Sequence, residues 1–266
     1  MSRKNITIKS LVEMKAAGEK ISVLTSYDAS FTQLIESAGV DVILVGDSLG
    51  MVIQGQESTL PVTLDEMIYH TRNVARARSH ALLVSDMPFM SYRSPELALE
   101  SAGRLMKEGG AQMVKLEGGA IHLQTIRQLS GQGIPVCGHL GLLPQSVHKL
   151  GGYRVQGRGE RDAEQILDDA VALEESGIDL LVLECVPDQL AARISRKLTI
   201  PVIGIGAGVD CDGQVLVLYD MLGLNPRPPR FVENFLHSGR SIEEAIKAYS
   251  TAVKQGNFPT KEHSFS

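Results

Sequence analysis

The run Val42-Ile43-Leu44-Val45-Gly46-Asp47-Ser48-Leu49-Gly50 is apolar until it stops at an acid. A buried parallel strand reads this way when it carries one carboxylate to its C-terminal end. The same ending recurs in Ala81-Leu82-Leu83-Val84-Ser85-Asp86, in Met113-Val114-Lys115-Leu116-Glu117 and in Leu180-Leu181-Val182-Leu183-Glu184. A charge closing an apolar strand is costly unless it meets a metal, a partner or a substrate. Taken alone, Asp47 reads equally well as a helix N-cap. The caps fail as an account of all four acids, because two of them are Glu, a poor N-cap.

Further strands surround these. Ile21-Ser22-Val23-Leu24-Thr25-Ser26 reads as a first strand, Ile134 to His139 as a fifth, and Ile200 to Gly208 as a seventh. The eighth is placed at Val215 to Asp220, although Cys211 to Gln214 before it could also open a helix. Helical segments alternate with them. Residues 7–18 form a short leading helix that ends at Gly18, Asp28 caps the next, Thr63-Leu64-Asp65-Glu66 is a capping box, and Ser94-Pro95 places proline at a first helical position. Another helix runs from Asp162 to Ser176, with Gly177 as its stop. The proline-rich Asn225 to Arg230 is a linker, followed by two short helices, the last opened by the capping box Ser241-Ile242-Glu243-Glu244. The tail from Lys261 to Ser266 reads as loosely held.

Two loops are long for strand-to-helix connections. Ser48 to Val62 has the character of a lid, and Gly141 to Glu160 that of a mobile basic flap, with His148, Lys149, Arg154 and Arg158 among glycines. The glycines of Gly204-Ile205-Gly206-Ala207-Gly208 do not match a dinucleotide fingerprint; they could form a phosphate site or let a bulky ligand approach the backbone.

With 266 residues and 43% apolar content the chain can bury one large core. Alternating strands and helices over this length predict an α/β fold: residues 1–266 as a single (β/α)8 TIM-barrel domain with an N-terminal helix and a C-terminal helical extension. A doubly wound open sheet is the alternative. A net charge of -5 without a long basic run argues against nucleic acid as a partner and for a small molecule. Cys137, Cys185 and Cys211 are odd in number and unpaired in spacing, which points to a reducing compartment, and Cys185 alternates to the face opposite Glu184. No secretory or membrane-spanning apolar run is visible, so a cytoplasmic location is expected.

In such a barrel Asp47, Asp86 and Glu117 come from neighbouring strands and converge at the mouth. Oxygen ligands alone favour a hard cation, Mg²⁺ or Mn²⁺. Lys115 and Glu117 leave one face of their strand, so Lys115 is either the ion-pair partner of an acid or the holder of a substrate anion. His139 ends the fifth strand where barrel enzymes keep their chemistry. Glu184 arrives from the opposite side, positioned as a general base beside a 2-oxo acid chelated through its carboxylate and keto oxygens. The reaction class is metal-assisted enolisation.

These blocks, with Ser58 to Thr63, Asp86-Met87-Pro88-Phe89-Met90, Cys137-Gly138-His139-Leu140-Gly141, Gly151 to Arg158 and Glu262-His263-Ser264-Phe265, closely resemble the ketopantoate hydroxymethyltransferase family over nearly the whole chain. The resemblance implies transfer of a hydroxymethyl group from 5,10-methylenetetrahydrofolate to 3-methyl-2-oxobutanoate, through a Mg²⁺-stabilised enolate, in pantothenate synthesis. It implies Mg²⁺ at Asp47, Asp86 and Glu117, substrate binding by Asp47, Ser48, Asp86, Lys115 and His139, and proton abstraction by Glu184. It also implies a cytoplasmic homo-oligomer, a decamer, with the helices after Pro229 as candidates for subunit contact. The competing readings are a Mg²⁺-dependent 2-oxo acid lyase or mutase on a related barrel, which would bring a loop cysteine, and a non-catalytic binding protein.

Overall fold

Eight short strands, each buried along nearly its whole length, make a closed all-parallel barrel in the order β1 to β8. They are β1 (Ile21–Thr25), β2 (Val42–Val45), β3 (Leu82–Asp86), β4 (Met113–Glu117), β5 (Val136–Gly141), β6 (Leu180–Glu184), β7 (Val202–Ile205) and β8 (Gly213–Leu216). The structure is a computed structural model that describes residues 4–237 and 239–266; Met1 to Arg3 of the polar N-terminal segment lie outside it. Pairing of β8 with β1 closes the ring and removes the doubly wound alternative. Because helices cover the outside and side chains fill the inside, both faces of the strands are buried and largely apolar, with polar side chains such as Lys115, Glu117 and His139 gathered toward the C-terminal ends.

Along the chain the helices are α1 (Ile8–Ala17), α2 (Ala29–Ala38), α3 (Leu49–Val52), α4 (Leu64–Ala77), α5 (Pro95–Arg104) and α6 (Leu123–Gly131). They continue as α7 (Val147–Leu150), α8 (Glu160–Glu175), α9 (Asp188–Lys197), α10 (Leu218–Met221) and α11 (Ile242–Lys254). The caps fall where the sequence puts them. Asp28 Oδ1 accepts from the Phe31 N–H at 2.9 Å, and Thr63 with Glu66 and Ser241 with Glu244 form reciprocal capping boxes. Among the described residues no helix is long and apolar enough to cross a membrane.

At the bottom of the barrel, the residue just before each even strand turns a side-chain oxygen onto the N–H of the neighbouring odd strand. Asp41 accepts from Ser22 at 2.8 Å, Gln112 from Leu83 at 3.1 Å, Asp179 from Val136 at 3.1 Å and Asp212 from Val202 at 2.8 Å. The four sites share one register, one residue below the pairs Val23–Val42, Val84–Met113, Cys137–Leu180 and Ile203–Gly213. At these starts the odd strand's amide has no carbonyl to meet, and leaving it unpaired would cost about as much as a lost hydrogen bond.

Several expectations need correction. The eighth strand is Gly213–Leu216, upstream of the expected Val215 to Asp220, and Leu218–Met221 is a helical turn carrying Asp220. Neither Cys211 nor Gln214 opens a helix. Among the described residues after the proline linker there is one α-helix, α11, where two were expected; Phe231 to His237 is turn and irregular chain, and Lys261–His263 is a single 3₁₀ turn. The tail is pinned: the Phe265 carbonyl accepts from the Asp188 N–H at 2.9 Å and the Arg230 guanidinium lies 5.5 Å from the Phe265 ring centre. The glycines after β7 make room for the protein's own side chains. A Cβ on Gly206 (φ +61°) would stand 2.9 Å from Phe231 and 3.1 Å from Phe265, and one on Gly208 2.6 Å from Asp188.

Candidate active site

The C-terminal ends of the strands open into a cavity of about 940 Å³. Asp47, Ser48, Asp86, Lys115, Glu117, His139 and Glu184 all line it. The strand-end pattern therefore delivers every one of the expected side chains to one place. This is the C-terminal face, where barrel loops carry chemistry.

Asp47 lies two residues beyond β2, and its N–H donates to Asp86 Oδ2 at 3.0 Å. The chain can pass this close because residue 46 is glycine: a Cβ there would stand 2.7 Å from Ser48 Oγ and 3.5 Å from Asp86 Oδ2. Ser48 Oγ shares a 2.9 Å hydrogen bond with the hydroxyl of the buried Tyr27. The other oxygen of Asp86, Oδ1, pairs with Lys115 Nζ at 2.9 Å, so the ion-pair reading of Lys115 describes its geometry while the side chain still faces the cavity.

His139 stands between two acids. Its Nδ1 is 3.4 Å from Glu117 Oε1 and its Nε2 3.2 Å from Glu184 Oε2. Burial and the Lys115 charge push the imidazole toward neutrality, yet the contacts with Glu117 and Glu184 prevail and raise its pKa to about 9. Burial likewise opposes ionisation of Glu117, but His139 and Lys115 hold its carboxyl below the usual range. For Lys115, burial is outweighed by Asp86, Glu117 and Asp47, and its pKa is raised. Asp47 is the group left uncompensated: burial, then the charges of Asp86 and Glu117, push its carboxyl well above the ordinary value.

Four acidic groups thus face two cations, Lys115 and His139, and the strain of that excess, with burial, falls on Asp47; a bound cation would relieve it. All the acids offer oxygen, the donor set of a hard cation. Among the described residues no three His, Cys, Asp or Glu side chains close into a ready-made cage. Mg²⁺ takes one or two carboxylates and completes its shell with water and substrate, so it does not require such a cage.

The sequence reading missed Gln145 and Tyr92. Gln145 lies in the expected mobile flap, yet it is buried in the 3₁₀ turn Pro144–Ser146 and donates through Nε2 to Asp47 Oδ2 at 2.8 Å and to the Met87 carbonyl at 3.0 Å. Its own N–H donates to Glu117 Oε2 at 3.0 Å, and the Tyr92 hydroxyl donates to its Oε1. The proline before it, which starts the turn, was the available signal. The lid is also partly helical, as α3. Cys185, expected to face away, takes a left-handed turn (φ +47°) and lines the cavity. All three cysteines are buried, and burial pushes the thiols of Cys137 and Cys211 up to about 12 and that of Cys185 further.

Comparison with known proteins bears on this site. The sequence profile of the ketopantoate hydroxymethyltransferase family matches residues 5–261. A 3-methyl-2-oxobutanoate hydroxymethyltransferase of Nitrosococcus oceani is 59% identical over 98% of this chain and 99% of its own. The enzyme of that name from Halorhodospira halophila is 57% identical over 98% of this chain and 94% of its own. Among solved structures, a phosphonopyruvate hydrolase in complex with oxalate and Mg²⁺ superposes with a TM-score of 0.61, covering 96% of this chain and 100% of its own at 11% identity, a likeness of fold.

Proposed function

The chain belongs to the ketopantoate hydroxymethyltransferase family, and on that premise we propose that it transfers a hydroxymethyl group from 5,10-methylenetetrahydrofolate to 3-methyl-2-oxobutanoate, giving 2-dehydropantoate and tetrahydrofolate. This is the committed entry into pantothenate synthesis. The observation that carries the reading is the placement of Glu184 across the cavity from Asp47, Asp86 and Lys115, with all four lining one space.

Asp47, Asp86 and Glu117 would hold Mg²⁺, and the excess of buried acidic groups over cations supports that assignment. Bound there, Mg²⁺ supplies a Lewis acid for the oxygens of the 2-oxo acid. Ser48 and Lys115 are positioned to bind its carboxylate. Glu184 removes the proton from C3: one of its oxygens is engaged by His139, while Oε1 has no hydrogen-bond partner among the described residues. His139, charged and held between Glu117 and Glu184, orients the base, which keeps the proton it collects. Water adds to the one-carbon unit and both of its C–N bonds to the folate break, releasing tetrahydrofolate and a formaldehyde unit; C3 of the enolate then attacks the formaldehyde carbon, whose oxygen takes the proton collected by Glu184 and becomes the hydroxyl of 2-dehydropantoate.

The cavity exceeds what a five-carbon acid fills, which supports a second, larger co-substrate. Cys185, just past β6, lines the cavity, but it is buried and burial pushes its thiol up, which argues against the reactive loop cysteine that the lyase reading calls for. A homo-oligomer, of ten subunits as the family resemblance implies, and a cytoplasmic location remain part of the proposal. Incubating the protein with both substrates and Mg²⁺ should yield 2-dehydropantoate, detected by mass spectrometry. Chelator should stop its formation and added Mg²⁺ restore it. Cleavage of a 2-oxo acid without folate would favour the lyase instead.

A further inference from the structure

Gln145 is a neutral amide set among charged groups, and every polar atom of its side chain is committed. The two hydrogens of Nε2 go to Asp47 Oδ2 and the Met87 carbonyl, and Oε1 accepts from Tyr92. The backbone N–H goes to Glu117 Oε2, while the Glu117 N–H donates back to the Tyr92 hydroxyl at 3.4 Å. The network therefore joins the ends of β2, β3 and β4 to the long loop after β5. Its effect on Asp47 is selective: Oδ2 is taken, whereas Oδ1 has no hydrogen-bond partner among the described residues.

We propose that Gln145 is the positioning residue for the cation site, fixing the rotamer of Asp47 so that Oδ1 alone faces the cavity and holding Glu117 beside it. The proposal rests on the reading of Asp47 as a metal ligand. An amide suits this task better than a hydroxyl or a charged group. It offers two hydrogens in a fixed plane, so one binds the carboxylate while the other, on Met87, stops the group from turning. It also adds no charge that would compete for the cation. Partners that orient a metal ligand in this way commonly affect metal affinity by about 10–100-fold.

A second consequence follows from where Gln145 sits. The turn Pro144–Ser146 continues into α7 and then into Tyr153 and Arg154, which line the cavity from above. Anchoring this loop through Gln145 places the roof and the cation site on one hydrogen-bonded frame.

The test uses the full-length protein and Mn²⁺ as the probe, titrated by calorimetry and by the loss of its free-ion paramagnetic resonance signal. Gln145→Met keeps length and volume and removes both donors. Its affinity for Mn²⁺ should fall by about 10–100-fold while the metal-free protein keeps a cooperative melting transition. A variant that melts lower but binds Mn²⁺ as the wild type does would make Gln145 merely structural and overturn the proposal. Should Gln145→Met fail to fold, Tyr92→Phe decides. It releases Oε1 and leaves the donors in place, so a Mn²⁺ affinity at least threefold weaker supports the proposal and an unchanged one overturns it. If the wild type itself binds no Mn²⁺, the metal reading of Asp47 falls and this proposal falls with it.

Discussion

The backbone N–H of Asp47 donates to the carboxylate of Asp86 across 3.0 Å, so one acid of the site is held in place by the side chain of another. Because Asp86 also pairs with Lys115, the three groups form one unit whose members cannot be altered independently.

Replacing Asp47 by Asn or Asp86 by Asn should therefore weaken Mn²⁺ binding and 2-oxo acid binding together. The double variant should lose less than the sum of the single losses, by a coupling of roughly 0.5–3 kcal/mol. Titrating both ligands against all three variants checks this. Strict additivity, or a variant that loses metal yet keeps substrate, would separate the two functions.

Glu184→Gln preserves size and removes the basic oxygen. Exchange of the C3 proton of 3-methyl-2-oxobutanoate with deuterated solvent, followed by proton NMR at saturating substrate, should slow by about 10²–10⁴-fold. Substrate affinity should change little. Because Glu184 also contacts His139, the alternative is a purely structural pair, and it predicts poor binding with near-normal exchange once the protein is saturated.

His139 gives a pH signature in the metal-free protein. Its folded pKa, raised to about 9, exceeds the unfolded value of about 6.5, so the protonated form is favoured by folding. The stabilisation is complete below pH 6.5 and is lost as pH rises through about 9. Its ceiling is on the order of 3 kcal/mol. Melting curves from pH 6 to 10 should show this decline in the wild type, and His139→Gln should flatten it. An equal decline in the variant would assign it to other groups.

Much of the site was legible in sequence because a charge after an apolar run breaks an otherwise regular pattern, as Asp47, Asp86, Glu117 and Glu184 each do. Gln145 breaks no pattern. It is an uncharged residue in a segment rich in glycine and basic side chains, and its importance lies in contacts with residues 28 and 98 positions away. The eighth strand was misplaced for a related reason: Gly213 and Gln214 do not read as strand, yet a Cβ at 213 would stand 2.3 Å from the Ile21 carbonyl. Neighbouring backbone, not β-propensity, selects glycine there. The tail read as loose because its anchors, Asp188 and Arg230, are remote in sequence.

The four acceptors beneath the barrel, Asp41, Gln112, Asp179 and Asp212, imply a substitution rule. Three carry a carboxylate and one an amide, and their surroundings differ: Lys254 meets Asp41 and Lys15 meets Asp212, whereas burial raises the pKa of Asp179. What the position demands is a reachable oxygen, whatever its charge. Asp179→Asn should then melt close to the wild type and Asp179→Leu should lose about 1–3 kcal/mol, the cost of stranding the Val136 amide. A chain without a visible internal repeat thus keeps a fourfold grammar at its base, in which the words are interchangeable and only their part of speech is fixed.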